Sequence, residues 1–388
     1  MEALVPHYSP VRSCAVGSQI TTDCAPAYNQ HSHQHRQESE VELYVLELAN
    51  SPSSELLGAA TSDGQIRILD KASLRVSRVT FARSNPNLLM SAGTDGRVLV
   101  LGWDLRTAFA GNHHGHSSSS SNVLPAMEFR ARQGDRFVSM DVACDDVLVA
   151  AGTELSGDSG SILIWDSRAS RKTLHTFHES HTDDVTSLEF HPHAPARFVT
   201  GSEDGLVCLF DLNVDMTSQV PTDMVVEEEA TPEEKATLAV MNAEASVHRV
   251  GIFGPSGEFV YALTGSQELR LWNGAEASQL AAYSSVRESL NEHCMNANAQ
   301  QAGVEAPHVD YLIATKYHAP SERFYLIGGD FSGGVHFAHV SLSSIDYIRS
   351  LRTSAHNAVI RCVDWDGPES LLYTGGEDEL VCQWSAER

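Results

Sequence analysis

No apolar run in this 388-residue chain is long enough to cross a bilayer, and its first residues lack the charged-then-apolar pattern of a secretory leader. An intracellular setting, cytoplasm or nucleus, is therefore expected, with no membrane contact. Basic residues are scarce, since 26 Lys and Arg stand against 51 Asp and Glu for a formal net charge of −25. Such a field repels nucleic-acid phosphate, so direct nucleic-acid binding is not expected, whereas basic protein partners are. The seven cysteines (Cys14, Cys24, Cys144, Cys208, Cys294, Cys362 and Cys382) are odd in number, irregularly spaced and free of any CxxC. Neither a disulfide framework nor a zinc site is implied. No cofactor motif and no convergent acid–base pair occurs, so no cofactor and no catalytic residue is expected.

What is present is a pattern that returns. Residues 181–212 read HTDDVTSLEFHPHAPARFVTGSEDGLVCLFDL, and residues 356–385 read HNAVIRCVDWDGPESLLYTGGEDELVCQWS. Each opens at a His, passes an apolar strand ending in Phe190 or Trp365, turns through small residues to Asp204 or Asp378, and closes on Phe210 or Trp384. This order is similar to that of WD-repeat β-propellers, in which four-stranded blades close into a ring. Weaker copies lie at 56–70, 87–106, 137–168, 246–273 and 310–340. The expected fold is all-β, a single WD-repeat propeller of seven blades, with six or eight left open because the unit at 310–340 lacks its Trp.

A four-stranded blade takes roughly 40–45 residues, so the ring is placed at 41–388. Ring closure needs a strand from upstream, either within 11–20 or within 41–48. Residues 1–40 form a low-complexity, His-rich segment, part of which is a candidate for that strand. Insertions are expected at about 111–121, 214–242 and 276–307, the last partly helical around 288–300. Their low hydrophobicity argues against cores of their own.

In such repeats the turn His, the strand Thr, the turn Asp and the Trp form a buried hydrogen-bonded network and perform no chemistry. His356, Thr374, Asp378 and Trp384 supply all four groups. His181, Thr200 and Asp204 supply three, and Phe210 removes the indole donor. His31, His33 and His35, with His113, His114 and His116, form two imidazole clusters without a fixed scaffold, and no metal site is assigned to them. The acidic run 227–234 is expected to be a solvated loop, with contact to a basic partner as the alternative.

Two WDxR sequences, ending at Arg106 and Arg168, resemble the motif that WD-repeat substrate receptors present to the adaptor of cullin-type ubiquitin ligases. An Asp–Arg pair that merely fixes its own corner is the competing reading. Asp183, Asp184 and Asn357 are further candidate partner-binding residues, because they lie on loops that connect neighbouring blades.

Taken with SVHRVGIFG, DYLIATKYH and LLYTGGEDELVCQW, the repeats resemble the WD repeat-containing protein 89 family from about residue 41 onward. That resemblance implies a seven-bladed intracellular propeller without enzymatic activity. The chain departs from the family in its His-rich start, its long 214–242 loop and the absence of a basic tail. The expected function is a non-catalytic protein-interaction scaffold, acting as a monomer within a larger complex. The alternatives are a ligase substrate receptor and a reader or chaperone of basic protein tails.

Overall fold

Short runs of Val, Ile, Leu and Phe stopped by Gly, Asp or Asn become antiparallel strands, since branched side chains suit a pleated surface and the stops suit tight turns. The structure is a computed structural model and describes residues 8–15, 45–50, 57–61, 76–84, 88–93, 103–104, 129, 135–169, 172–214, 230–298, 308–352, 356–366, 371–378 and 380–386. The chain begins with β1 (Tyr8–Ala15). A two-stranded sheet of β2 (Val45–Asn50) and β3 (Leu57–Thr61) follows, then a three-stranded sheet of β4 (Val76–Phe81), β5 (Leu88–Gly93) and β6 (Trp103–Asp104).

Four-stranded sheets come next. The first holds β7 (Phe137–Val142), β8 (Leu148–Thr153), β9 (Gly160–Asp166) and β10 (His175–His181). The second holds β11 (Ser187–Phe190), β12 (Arg197–Gly201), β13 (Leu206–Asp211) and β14 (Thr237–Asn242). The third is β15 (Val247–Phe253), β16 (Phe259–Thr264), β17 (Leu269–Asn273) and β18 (Ser278–Tyr283). The fourth is β19 (Tyr311–His318), β20 (Arg323–Gly329), β21 (Val335–Val340) and β22 (Ile345–Leu351). The last sheet joins β23 (Ile360–Asp366), β24 (Leu371–Gly376) and β25 (Leu380–Ala386) to β1, in the order β1-β25-β24-β23.

That last sheet closes the ring. β1 runs antiparallel to β25 from Tyr8 opposite Ala386 to Ala15 opposite Leu380, and the register shifts between Pro10 and Arg12. A proline has no N–H for the ladder, so a break beside Pro10 on an edge strand is where one belongs. Of the two stretches offered by the sequence, 41–48 does not close the ring, because β2 opens a sheet of its own. The innermost strands meet in succession: β2 with β4, β4 with β7, β7 with β11, β11 with β15, β19 with β23, and β23 with β2. Between the sheets of β15 and β19, Phe253 stacks on Phe324 at 4.3 Å and Tyr261 lies 5.3 Å from the same ring.

An innermost strand has a free backbone edge facing the channel, and buried N–H groups there need acceptors. Side chains of the preceding sheet supply them. The Asp141 carboxylate accepts from Phe190 N–H at 2.8 Å, Ser187 Oγ from Val250 N–H at 3.1 Å, and Glu189 from Ile252 N–H at 3.0 Å. Tyr311 Oη accepts from Ile360 N–H at 2.8 Å. Between the sheets the core is apolar, with Trp165, Trp272, Trp384, Phe198 and Phe337 fully buried.

Two of the expected insertions are partly sheet. Residues 237–242 are β14, the outer strand of its sheet, and residues 278–283 are β18. Helix α1 (Pro232–Ala236) precedes β14, and α2 (Val286–Asn298) follows β18, docked through buried Val286 and Leu290. Low hydrophobicity misleads here because an outer strand buries only one of its faces, as in β14, where buried Ala239 and Met241 alternate with exposed Leu238 and Val240. The 111–121 stretch and the two His clusters lie outside the described residues.

Helix α1 also corrects the solvated reading of the acidic run at its 233–234 end. Thr231 and Glu234 form a capping box, and Glu233 is buried. Its carboxylate accepts from the N–H groups of His178, Glu179 and Ser180 at 2.7, 3.0 and 2.7 Å, and from the Ser180 hydroxyl. These N–H groups sit where the β10–β9 register breaks, between Phe177 and His181, so the sheet does not pair them. Glu233→Ala is expected to cost about 2–4 kcal/mol in chemical denaturation. Glu233→Gln should cost less, since one carbonyl oxygen remains. A loss below about 0.5 kcal/mol for the Ala variant, the range of ordinary surface substitutions, would show the clasp to be incidental.

Candidate functional site

The returning His, Thr, Asp and Trp meet at the outer-to-inner turn of the last sheet. His356 Nδ1 lies 2.8 Å from Asp378, His356 Nε2 lies 2.8 Å from Thr374 Oγ1, and Trp384 Nε1–H donates to the same oxygen at 2.9 Å. A carboxylate only accepts, so the imidazole proton sits on Nδ1 and Thr374 donates to Nε2. The chain of donors is complete from indole to carboxylate, and His356, Thr374 and Trp384 are all buried. Burial pushes the Asp378 carboxyl up, but the bond from His356 and the N–H groups of Asn357 and Leu380 bring it below its ordinary value.

The copy between β10 and β13 has the same geometry without the indole. His181 Nε2 lies 2.7 Å from Thr200 Oγ1 and His181 Nδ1 lies 3.2 Å from Asp204. Phe210 stacks on Phe198 at 4.9 Å and asks nothing of Thr200. Burial raises the Asp204 carboxyl, and the His181, Leu206 and Thr182 bonds more than offset it, so it too is lowered. His181 and Thr200 are buried and bonded to each other, with Asp204 on the far imidazole nitrogen. Cys208, beside this network, is a buried thiol pushed up to about 12 by burial, and Cys382 is buried at the matching position.

Sequence gave little sign of the equivalent centre in the unit at 310–340. There Asp330 accepts from Ser332 and Gly334 N–H groups at 2.9 and 2.8 Å, lies 3.1 Å from His336 Nε2, and takes Arg352 at 2.7 Å. Burial opposes its ionisation, yet these donors hold Asp330 well below the usual carboxylate range. The signal was the DFSGG turn, whose Asp precedes small residues as in the other repeats.

The two WDxR arginines part company. Arg106 lies outside the described residues. Arg168 bonds its own corner, with Nε 3.0 Å and a terminal nitrogen 2.8 Å from the two Asp166 oxygens. Those bonds from Arg168 lower the Asp166 carboxyl to about 2. The Arg168 side chain is nonetheless 69% exposed.

Loops joining an outer strand to the next inner strand share one face of the ring with the turns between the second and third strands, here called the upper face. Asp183 and Asp184 lie on it: Asp184 accepts from Leu155 N–H at 2.6 Å, and Asp183 from Asp184 N–H at 2.9 Å. Asn357 is exposed there, its N–H held by Asp378 at 3.0 Å. Arginines described on this face are already used. Arg352 pairs with Asp330 at 2.7 Å, Arg270 with Glu244 and Glu268 at 2.9 and 3.0 Å, and Arg361 with Glu377. Asp158, Asp183, Asp184 and Glu203 have no basic partner among the described residues. Phe331, missed in the sequence, is 67% exposed on this face and stacked at 6.0 Å on Tyr311.

Among the described residues no cluster of His, Cys, Asp and Glu is placed to hold a metal ion, and no helix is long and apolar enough to cross a membrane. Residues 171–211 and 347–385 match the family model described as WD domain, G-beta repeat. The chain is 28% identical to the WD repeat-containing protein 89 homolog of Dictyostelium discoideum over 88% of its own length and 82% of that protein's. It is 27% identical to the WD repeat-containing protein GTS1 of Arabidopsis thaliana over 72% of its length and 68% of that protein's. A guanine nucleotide-binding protein subunit beta of Zea mays is 40% identical over 34% of the chain and 30% of that protein.

Proposed function

We propose that this chain, which belongs to the WD-repeat β-propeller proteins and is similar to the WD repeat-containing protein 89 family, is a non-catalytic scaffold that docks a basic segment of a partner protein on its upper face. A scaffold role in protein–protein interaction is the common property of WD-repeat proteins, and the finer reading rests on the charge of this face. Arg352 and Arg270 are ion-paired within the face while Asp183, Asp184 and Glu203 have no basic partner among the described residues, and Phe331 is exposed on the same face. Lysines and arginines of such a segment would set their charges against the carboxylates, while an aliphatic stem elsewhere along it could lie on the Phe331 ring. Net charge steers such a partner in from a distance, and salt screens the steering.

The direct test is capture of partners by the tagged protein, alongside anisotropy of a dye-labelled hexalysine peptide. Asp183→Lys with Asp184→Lys is expected to weaken hexalysine binding about tenfold or more, and Phe331→Ala to release captured partners without lowering stability. Equal binding by wild type and the double variant would remove the basic-segment reading. The exposure of Arg168 keeps a second reading in play, a substrate receptor of a cullin-type ubiquitin ligase. An adaptor that co-purifies with wild type and is lost with Arg106→Ala plus Arg168→Ala would support it. Equal recovery, or none, would leave Arg168 as the corner pair with Asp166.

A further inference from the structure

The opposite end of the channel has a charge that runs against the rest of the molecule. A cavity of about 540 Å³ lies there, among the ends of the innermost strands and the loops that follow them. Its wall includes Arg83, His193, Pro255 and Ala319 from those loops, so its mouth opens on the lower face, away from Asp183 and Phe331. Only 26 of the 388 residues are Lys or Arg, yet Arg78, Arg83, Arg249 and Lys316 all line this one space.

The carboxylates that share the wall are largely committed. Asp141 takes Phe190 N–H and, at 3.2 Å, Arg83. Glu189 takes Ile252 N–H at 3.0 Å. Burial, reinforced by neighbouring Asp141, pushes the Glu189 carboxyl up to about 7 against the opposing pull of that N–H, Arg83 and Lys316, so near neutral pH it is only partly charged. Asp364 is the other acid of the wall. Arg249 and Lys316 form no ion pair among the described residues, and Lys316 is exposed.

Tyr317 and Trp365 also line the cavity, Tyr317 packed between the β15 and β19 sheets and Trp365 between the β19 and β23 sheets, and their O–H and Nε1–H are buried in those cores. Phe253 and Phe324 complete the wall with apolar surface suited to the carbon stem of a side chain.

We propose that this lower cavity binds an acidic peptide segment of a partner protein, its carboxylates held by Lys316 and Arg249. A chain of net charge −25 repels such a segment at long range, so its recognition is local and confined to the cavity mouth. The two ends of the channel then take partners of opposite charge. The lower site does not depend on the upper-face reading.

The test is anisotropy of a dye-labelled hexaglutamate peptide titrated with the full-length chain, with inorganic phosphate as competitor. Wild type should bind saturably. Lys316→Met and Arg249→Met should each weaken binding about 10–100-fold, the usual effect of losing a charged hydrogen bond. Asp183→Lys with Asp184→Lys should leave it unchanged, which separates this site from the upper face. Binding should also change Trp365 emission, a change that Trp365→Phe abolishes. Absence of saturable binding, or equal binding by Lys316→Met, would overturn the proposal. So would phosphate that displaces the peptide at the peptide's own concentration, since that describes a site for a small ion.

Discussion

Deleting residues 1–15 is expected to open the ring and leave the chain aggregation-prone. β1 is the outer strand of the sheet it completes, and its ladder with β25 runs from Tyr8–Ala386 to Ala15–Leu380. Each ladder hydrogen bond contributes about 0.5–1.5 kcal/mol net, so the eight-residue strand is expected to account for roughly 4–8 kcal/mol. That is a large part of the ~5–15 kcal/mol that stabilises an ordinary domain. The deletion also exposes the β25 edge, a template for pairing with another chain. Size-exclusion chromatography and denaturant titration should show a broad, early transition and soluble oligomers. Amide exchange should accelerate most at 380–386, and a peptide spanning residues 1–20 added in excess should slow it again. A truncated protein that stays monomeric with an unchanged midpoint would show that β1 does not close the ring.

The second large effect is expected at Thr374, and its size should differ from that at the matching Thr200. Thr374 Oγ1 serves both His356 and Trp384, whereas Thr200 Oγ1 serves His181 alone, because Phe210 occupies the indole position. Valine has nearly the shape of threonine and no hydroxyl. Thr374→Val therefore strands a buried indole N–H and an imidazole nitrogen, at about 2–5 kcal/mol, while Thr200→Val strands one group, at about 1–3 kcal/mol. The difference between the two variants in urea titrations measures the indole bond. Trp384→Phe, which recreates the Phe210 arrangement, should bring the cost of Thr374→Val down toward that of Thr200→Val. Equal costs for the two threonine variants in the wild-type background would mean that Thr374 is not shared as the distances imply.

Legibility differed from place to place. His356, Thr374, Asp378 and Trp384 could be read directly, because the network needs those atoms at a fixed register across neighbouring strands, and register appears in sequence as spacing. The unit at 310–340 was recognisable only by its rhythm, since Asp330 recruits Arg352 from the next connection and dispenses with the indole. The 214–242 stretch read as solvated because an acidic run is ordinarily exposed. Glu233 is the exception, as the break in β10 leaves three N–H groups in want of an acceptor.

The sequence by itself determined the all-β repeat, its turns, and which His, Thr and Asp would meet, since each depends on residues close along one unit. Tertiary structure alone decided that Tyr8–Ala15 pairs with β25, that Arg168 folds onto Asp166, and that Lys316, Arg249, Tyr317 and Trp365 share one cavity wall. The cavity residues come from three inner strands, β15, β19 and β23, and β1 and β25 lie at opposite ends of the chain. They become neighbours only when the ring closes, and closure leaves no local spacing to read.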